Sequence, residues 1–360
     1  MTPDFHTLTV RSVRRETPDA VSIVLDVPPA SRDAFRFAPG QYLTLRTTLD
    51  GEDVRRSYSV CSGLDDGELR VAVKRHDGGL FSTHANTALK AGDEIEVMTP
   101  RGRFTLPAAT GSARTILAIA AGSGITPVLS LLKTALAREP ATRAVLLFGN
   151  RGADRILFKR EIEDLKDRHM GRLTVFNVLS REHQDVPLLN GRIDAAKIEA
   201  VLRTLPGGKP DIAFLCGPLP LLKVARDTLE AAGLTREQIK TEIFAPAAGA
   251  RSKPATAAPR AVAVETDIAA IARITLNGRE RAISMRTGET VLEAAIRNGL
   301  EAPFSCRGGM CCTCRAKVTR GSVAMAVNYS LEPWEENAGF VLTCQSRPTA
   351  SEIAVDYDAH

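Results

Sequence analysis

A chain of 360 residues with 44% hydrophobic and 25% charged side chains is ordinary for a globular protein, and long enough for two or three domains that each bury a core. The net charge of +5 comes without any run of five or six Lys/Arg residues, which argues against nucleic-acid binding. Seven cysteines are too sparse for a secreted disulfide scaffold of this length.

The start of the chain has neither a charged n-region nor an apolar h-region, so no signal peptide is expected. Residues 1 to about 108 read as β-rich. Short β-prone runs at Thr7–Val10, Ala20–Val27, Tyr42–Arg46, Tyr58–Ser62, Glu68–Lys74 and Glu94–Thr99 are punctuated by turns at Pro39-Gly40, Asp50-Gly51, Asp66-Gly67 and Gly92-Asp93. Strands this close together predict an antiparallel barrel. From about 109 to 247 the rhythm changes to strands alternating with apolar-periodic helices. Thr115–Ala120, Ala144–Phe148, Leu173–Leu179, Ile212–Cys216 and Lys240–Phe244 are the candidate strands. That rhythm predicts an α/β doubly wound parallel sheet with its ligand beyond the strand C-termini. The most apolar stretch, Thr115 to Leu132, is broken by a Gly-rich turn and predicts no membrane span. Residues 248–266, rich in Ala and carrying Pro254 and Pro259, read as a linker. A third module, 267–360, opens with a strand, an Asn277-Gly278 hairpin turn and a return strand. A capping box from Thr290 to Glu293 then starts a helix that stops at Asn298-Gly299.

Chemistry concentrates in a few places. Cys306, Cys311 and Cys314, followed by Cys344 after 29 residues, show the C-x4-C-x2-C…C spacing of a plant-type [2Fe-2S] site. The alternative is a structural zinc with four thiolates, whose ligands more usually come as paired C-x2-C knuckles. Gly308 and Gly309 are expected to allow the tight loop, and Cys312 to pack beside it as a bystander thiol. A cluster has no substrate chemistry of its own, so it asks for an electron donor. Gly122, Gly124, Thr126 and Pro127 lie between an apolar strand and a helix, where glycines let a diphosphate approach the backbone and a helix N-terminus favours its charge. Alone, this motif is also what a structural strand-helix turn looks like. Arg56, Tyr58 and Ser59 lie on a barrel strand, with Arg56 and Tyr58 on one face and Ser59 on the other. Gly78, Gly79 and Ser82 form a second candidate phosphate cradle, with a plain hairpin turn as its rival.

Taken in order, these motifs resemble the ferredoxin-NADP reductase family fused to a C-terminal plant-type ferredoxin, over nearly the whole chain. The resemblance implies a multidomain protein: a flavin-binding β-barrel at 1–108, an NAD(P)H-binding α/β domain at 109–247, and a β-grasp-type [2Fe-2S] ferredoxin at 267–360. It implies that Tyr58 packs on the flavin ring and Ser59 sits near its reactive nitrogen. Arg56, Gly78, Gly79 and Ser82 would meet the flavin phosphates, and Lys74 would help bind cofactor. Gly122, Gly124, Thr126 and Pro127 match the family's nucleotide turn, and Cys216, Gly217 and Pro218 the motif beside the nicotinamide. Glu242 and Phe244 match its terminal Glu-x-Phe. Ser180 and Arg181 stand where relatives contact the 2′-phosphate of NADPH, with Arg151 and Arg192 placed to assist, and a guanidinium suits a phosphate. Hydride transfer would then be arranged by Ser59, Cys216 and Glu242.

The segments Met325–Leu331, Gly339–Gln345 and Val355–Asp358 resemble one subfamily, the reductase components of ring-1,2-phenylacetyl-CoA epoxidases. This implies FAD as the flavin, NADPH as donor, Cys306, Cys311, Cys314 and Cys344 as iron ligands, and a separate di-iron oxygenase component as partner in phenylacetate catabolism. Relatives of the same layout serve ketosteroid hydroxylases, Rieske dioxygenases and hybrid-cluster proteins. The expected setting is the cytoplasm, with no nucleic-acid or membrane partner.

Overall fold

The computed structural model describes residues 5–108, 113–244 and 268–359. The expected linker, 248–266, lies outside the described residues. The chain divides into two compact units, one running from His6 to Ala245 apart from Arg55–Ser57, the other built chiefly from Pro246–His360.

The first unit begins with six strands: β1 (Phe5–Thr17), β2 (Ala20–Asp26), β3 (Tyr42–Leu49), β4 (Glu52–Ser59), β5 (Leu69–Lys74) and β6 (Glu94–Met98), in the spatial order β4-β3-β6-β1-β2-β5. Leu8, Val10, Ile23, Leu43, Leu45, Val71 and Val73 supply the inner face. The expected strand at Tyr58–Ser62 sits differently. Asp50 and Gly51 both take left-handed backbone angles, φ 50° and 79°, so the chain reverses there and Glu52–Ser59 becomes the return strand beside β3. Val60 and Cys61 then bridge to β5 through Val71 and Arg70. Helix α1 (Leu80–Thr87) follows β5, so Gly78 and Gly79 lead into a helix and not a hairpin.

Strands β7 (Thr115–Ala121), β8 (Arg143–Asn150), β9 (Leu173–Leu179), β10 (Ile212–Gly217) and β11 (Ile239–Ile243) form a parallel sheet in the order β11-β10-β7-β8-β9. Helices α2 (Ile125–Arg138), α3 (Lys159–Arg168), α4 (Ala195–Leu202) and α5 (Leu219–Ala231) connect them. Both faces of this sheet are covered, which is why its strands read as continuous apolar runs. Ile116, Ala118, Phe148 and Phe214 face one core, and Leu117, Ile119, Leu147 and Leu215 the other. The first of these cores also takes in Ala20, Cys61 and Ala72 of the barrel, so barrel and nucleotide lobe share apolar interior.

The second unit holds β12 (Ile268–Leu276), β13 (Arg279–Arg286), α6 (Val291–Arg297), β14 (Arg315–Arg320), β15 (Val323–Met325), α7 (Pro333–Asn337), β16 (Phe340–Leu342), β17 (Ser346–Pro348) and β18 (Glu352–Asp356). Its main sheet has the order β13-β12-β18-β14-β16, and β15 pairs with β17. The hairpin turn falls at Asn277 and Gly278, at φ 59° and 69°, and the Asp358 carboxylate accepts from both amides at 2.8 and 2.7 Å. The Thr290/Glu293 capping box is present and α6 ends before Gly299 at φ 72°. Among the described residues no helix is long and apolar enough to cross a membrane.

Candidate functional site

The order of strand addition reverses between β7 and β10: the chain steps outward from β7 to β9, then returns to lay β10 parallel on the other side of β7. Such a switch point leaves a crevice beyond the strand C-termini. Both expected nucleotide motifs stand there. Gly122 opens the turn after β7 at φ 53°, and Gly124 caps α2. A side chain at Gly124 would place its Cβ 2.3 Å from the Cys216 carbonyl oxygen, so only glycine lets the turn lie on the end of β10. The Thr126 hydroxyl donates to Ser123 O at 2.9 Å and Pro127 sits in the first helical turn, which together tie the turn to α2. Pro218 caps α5, and the Phe244 amide donates to Gly217 O at 2.8 Å.

Strand register brings the three expected catalytic residues together. Cys216 is aligned with Ala120 on one side and with Glu242 on the other. Ser59, buried at the end of β4, donates from Oγ to Glu242 Oε2 at 3.4 Å. Burial pushes the Glu242 carboxyl up to about 8, and the Ser59 bond offsets this only in part. The edge of the side chain still meets solvent, but the carboxyl is crowded by protein atoms that cannot replace water. Burial likewise raises the Cys216 thiol, and Glu242 once ionised acts in the same direction, so its sulfur stays neutral.

On the barrel side, the Tyr58 ring lies 5.4 Å from that of Phe81. Arg56 on β4 donates from Nη1 to the Arg55 carbonyl at 2.7 Å. Gly78 is left-handed at φ 71°, and a Cβ at Gly79 would fall 2.4 Å from Ser82 Oγ. The Ser82 hydroxyl accepts from the His76 amide and donates to Gly79 O, both at 3.2 Å, so it shapes the loop from within. Lys74, at the end of β5, brings Nζ within 3.9 Å of where a Gly122 Cβ would be.

Ser180 and Arg181 are at the far end of the same crevice edge. Their amides donate to Asn150 O at 2.9 Å and Arg151 O at 2.8 Å, and the Gly191 amide donates to Leu179 O at 2.8 Å, which brings Arg192 to the same strand end. Among the described residues none of Arg151, Arg181 and Arg192 has an ion-pair partner. The nearby Glu182 carboxylate accepts instead from the Ala153 amide at 2.7 Å.

In the second unit the four cysteines expected as ligands fall into two pairs, Cys306 with Cys311 and Cys314 with Cys344. Within each pair one thiol accepts from the other. Cys306 is thereby pushed down to about 5, and Cys344 also lies below its usual range. Two pairs match a two-iron rhomb, which takes two thiolates at each iron. Inward amides support that fit: Gly308 N donates to Cys306 Sγ at 3.3 Å and Cys306 N to Cys311 Sγ at 3.5 Å. Gly309 takes φ 75°, and a Cβ there would fall 3.1 Å from Val327 O. Gly308 is not left-handed; Arg307 and Cys312, at φ 50° and 55°, make the other tight bends. Cys312 donates to Ser330 Oγ at 3.0 Å, so the bystander thiol fastens the loop to the 327–331 segment. Gln345 is a participant the motif did not point to. Its amide donates to Arg307 O at 2.8 Å and to Cys344 Sγ at 3.5 Å, and its signals in sequence were adjacency to Cys344 and its place in the Gly339–Gln345 segment.

Comparison with known proteins finds the same three modules in the same order. Models of the oxidoreductase FAD-binding domain, the oxidoreductase NAD-binding domain and the 2Fe-2S iron-sulfur cluster binding domain match residues 7–106, 118–227 and 274–349. The chain is 42% identical over 357 residues to the E subunit of 1,2-phenylacetyl-CoA epoxidase from Escherichia coli K12, covering 99% of this chain and 98% of that one. It is 34% identical to the ferredoxin reductase component of 3-ketosteroid-9-alpha-monooxygenase from Mycobacterium tuberculosis, covering 98% of this chain and 95% of that one. The fold matches that of phthalate dioxygenase reductase with a TM-score of 0.60 at 22% identity, over 99% of this chain and all of the other. With flavin, nucleotide and cluster modules matched in order, the chain belongs to the ferredoxin-NADP reductase family, in the form fused to a C-terminal plant-type [2Fe-2S] ferredoxin.

Proposed function

We propose that this protein is an NADPH-dependent reductase that passes electrons from NADPH through FAD and the [2Fe-2S] centre to a separate di-iron oxygenase component, the phenylacetyl-CoA epoxidase of phenylacetate catabolism. The chemical order is supported above all by the junction at the switch point, where the Gly124 turn lies on Cys216 while Glu242, in register with Cys216, is hydrogen-bonded to Ser59 of the flavin strand. The partner is supported by the 42% identity to the Escherichia coli epoxidase component over nearly the whole of both chains.

In this reading Arg56, Tyr58, Gly78, Gly79 and Ser82 hold FAD, which when bound exchanges one hydride for two single electrons. Gly122, Gly124, Thr126, Pro127 and Lys74 hold the dinucleotide, and Gly217, Pro218 and Phe244 shape the floor beside Cys216. Ser59 orients the Glu242 carboxyl, which keeps its proton at neutral pH. Cys216 presents an uncharged sulfur that excludes water. Cys306, Cys311, Cys314 and Cys344 hold the cluster. The domains run 1–108, 109–247 and 267–360 around a linker at 248–266. The proposed setting is the cytoplasm.

Cys306→Ser tests the order. Cluster absorbance and turnover with the epoxidase di-iron component should disappear, while NADPH-dependent reduction of ferricyanide stays within about twofold of the parent. Loss of ferricyanide reduction in a folded, flavin-replete variant would defeat the linear path. The preference for NADPH is supported by the guanidiniums around Ser180, which have no ion-pair partner among the described residues, since one charge-assisted phosphate contact is worth roughly 1.5–3 kcal/mol. Arg181→Ala should therefore lower kcat/KM for NADPH about 10- to 100-fold and leave NADH nearly unchanged. An unaltered ratio removes Arg181 from the phosphate site. The 34% identity to the ketosteroid monooxygenase reductase favours a second reading, reduction of a different oxygenase. Stopped-flow NADPH oxidation with each purified oxygenase as acceptor separates the two.

A further inference from the structure

Asp19, in the turn between β1 and β2, belongs to no motif of the family pattern. Its carboxylate accepts from Thr17 Oγ1 at 2.8 Å, and its carbonyl accepts from the Arg75 amide at 2.7 Å, so the residue is fixed against β5. From that position Oδ2 lies 3.2 Å from Arg155 Nη1 and 3.8 Å from Lys74 Nζ. Lys74 comes from the barrel and Arg155 from the nucleotide lobe. The Lys74 ammonium stands 3.9 Å from the point where a Gly122 Cβ would be, directly over the opening of the turn. All three side chains reach solvent, at 19% for Asp19, 18% for Lys74 and 36% for Arg155. His76 stands close enough to feel both Lys74 and Asp19, and Asp154 holds Arg155 Nε at 3.0 Å.

One carboxylate thus sits between two cations, and one of them, Lys74, stands at the mouth of the glycine turn. A dinucleotide diphosphate brings two negative charges to the same place. The cations match it and the carboxylate opposes it. We propose that Asp19 is a resident counter-anion of the diphosphate subsite: it holds Lys74 and Arg155 at the mouth of the Gly122 turn and yields them to the diphosphate of the incoming nicotinamide dinucleotide. This rests on the reading of the Gly122 turn as the dinucleotide cradle. Asp19 is on this account a positioning residue that also weakens binding, which favours release of the oxidised nucleotide after each hydride transfer.

The test is calorimetric titration of NAD⁺ and NADP⁺ into the full-length, flavin- and cluster-loaded protein. Asp19→Asn keeps the shape and the bond from Thr17, and Asp154 still holds Arg155. Removing the one negative charge beside Lys74 and Arg155 should tighten both nucleotides about fivefold at low salt. The gain should shrink at 0.5 M salt, roughly where the screening length falls well below the 8 Å of physiological ionic strength. Lys74→Gln should weaken both nucleotides. Flavin absorbance and Tm report folding, and Asp19→Ser supplies a second neutral variant. If Lys74→Gln weakens binding but both Asp19 variants leave it unchanged or weaker, Asp19 is only a tie between the lobes and the proposal is overturned, while the cradle stands. If Lys74→Gln has no effect, the cradle reading itself falls and the proposal with it.

Discussion

Glu242 keeps its proton at neutral pH because the protein atoms around its carboxyl remove the water that would stabilise a charge, and the single bond from Ser59 replaces too little of it. A carboxyl raised to about 8 in the folded state, against an ordinary value of 4.5, has a definite sign in the stability balance. The unfolded chain gives up that proton first, so the favourable contribution is complete below pH 4.5 and is lost as pH rises through about 8. Gln at this position accepts the same Ser59 bond and carries no charge at any pH. Glu242→Gln should therefore match the parent near pH 4.5 and gain on it up to pH 8, where its Tm should be higher by at least about 2 °C. Thermal unfolding followed by circular dichroism at pH 5, 6.5 and 8 checks this. A Tm difference that stays flat across the series would show that the carboxyl is ionised throughout.

At the scale of elements, what could be read from sequence followed from local periodicity. The nucleotide strands were legible because burial on both faces writes itself as apolar runs, and Leu173–Leu179 is the strand expected from its run. The Thr290 capping box and the Asn277-Gly278 turn carried their own chemistry. The barrel was harder, because a hairpin between β3 and β4 is decided by the left-handed pair Asp50 and Gly51, and a short pattern from Tyr58 onward looked equally β-prone. In the cluster loop the glycines seemed to provide the bends, yet Arg307 and Cys312 take two of the three left-handed positions. Tertiary ties make that tolerable: Gln345 binds Arg307 O and Cys312 binds Ser330. The Ser59–Glu242 contact joins residues 183 positions apart, so it could be inferred from family pattern but not from any local signal. The same holds for Asp19, which is ordinary in sequence and placed by the fold between two cations.

At the scale of the whole molecule, the proposed hydride transfer requires barrel and nucleotide lobe to keep a fixed relation, and their shared core is reinforced by a partly buried charge network. Arg70, with its side chain 6% exposed, binds both Glu161 oxygens at 2.6 and 2.8 Å from the barrel side. Lys133 of α2 joins Glu161 to Asp66, and Ser130 Oγ donates to Ser62 O at 2.6 Å. Burial works against the Glu161 charge, but the bonds and charges of Arg70 and Lys133 outweigh it and hold the carboxyl below its ordinary range. Its contribution is therefore present above pH 4.5 and disappears as pH falls through the depressed value. Breaking one partner of such a pair costs up to about 3–5 kcal/mol when fully buried, and about 2 kcal/mol is expected for a carboxylate that still meets solvent. Glu161→Gln should lower Tm by about 5 °C at pH 7, and the gap to the parent should close as pH is taken from 5 to 3. A gap that persists unchanged at pH 3 would mean that shape and apolar packing, and not this network, join the two lobes. Closure of the gap together with a fall in NADPH-ferricyanide turnover at pH 7 would tie the network directly to the alignment of the Gly122 turn with the flavin strand.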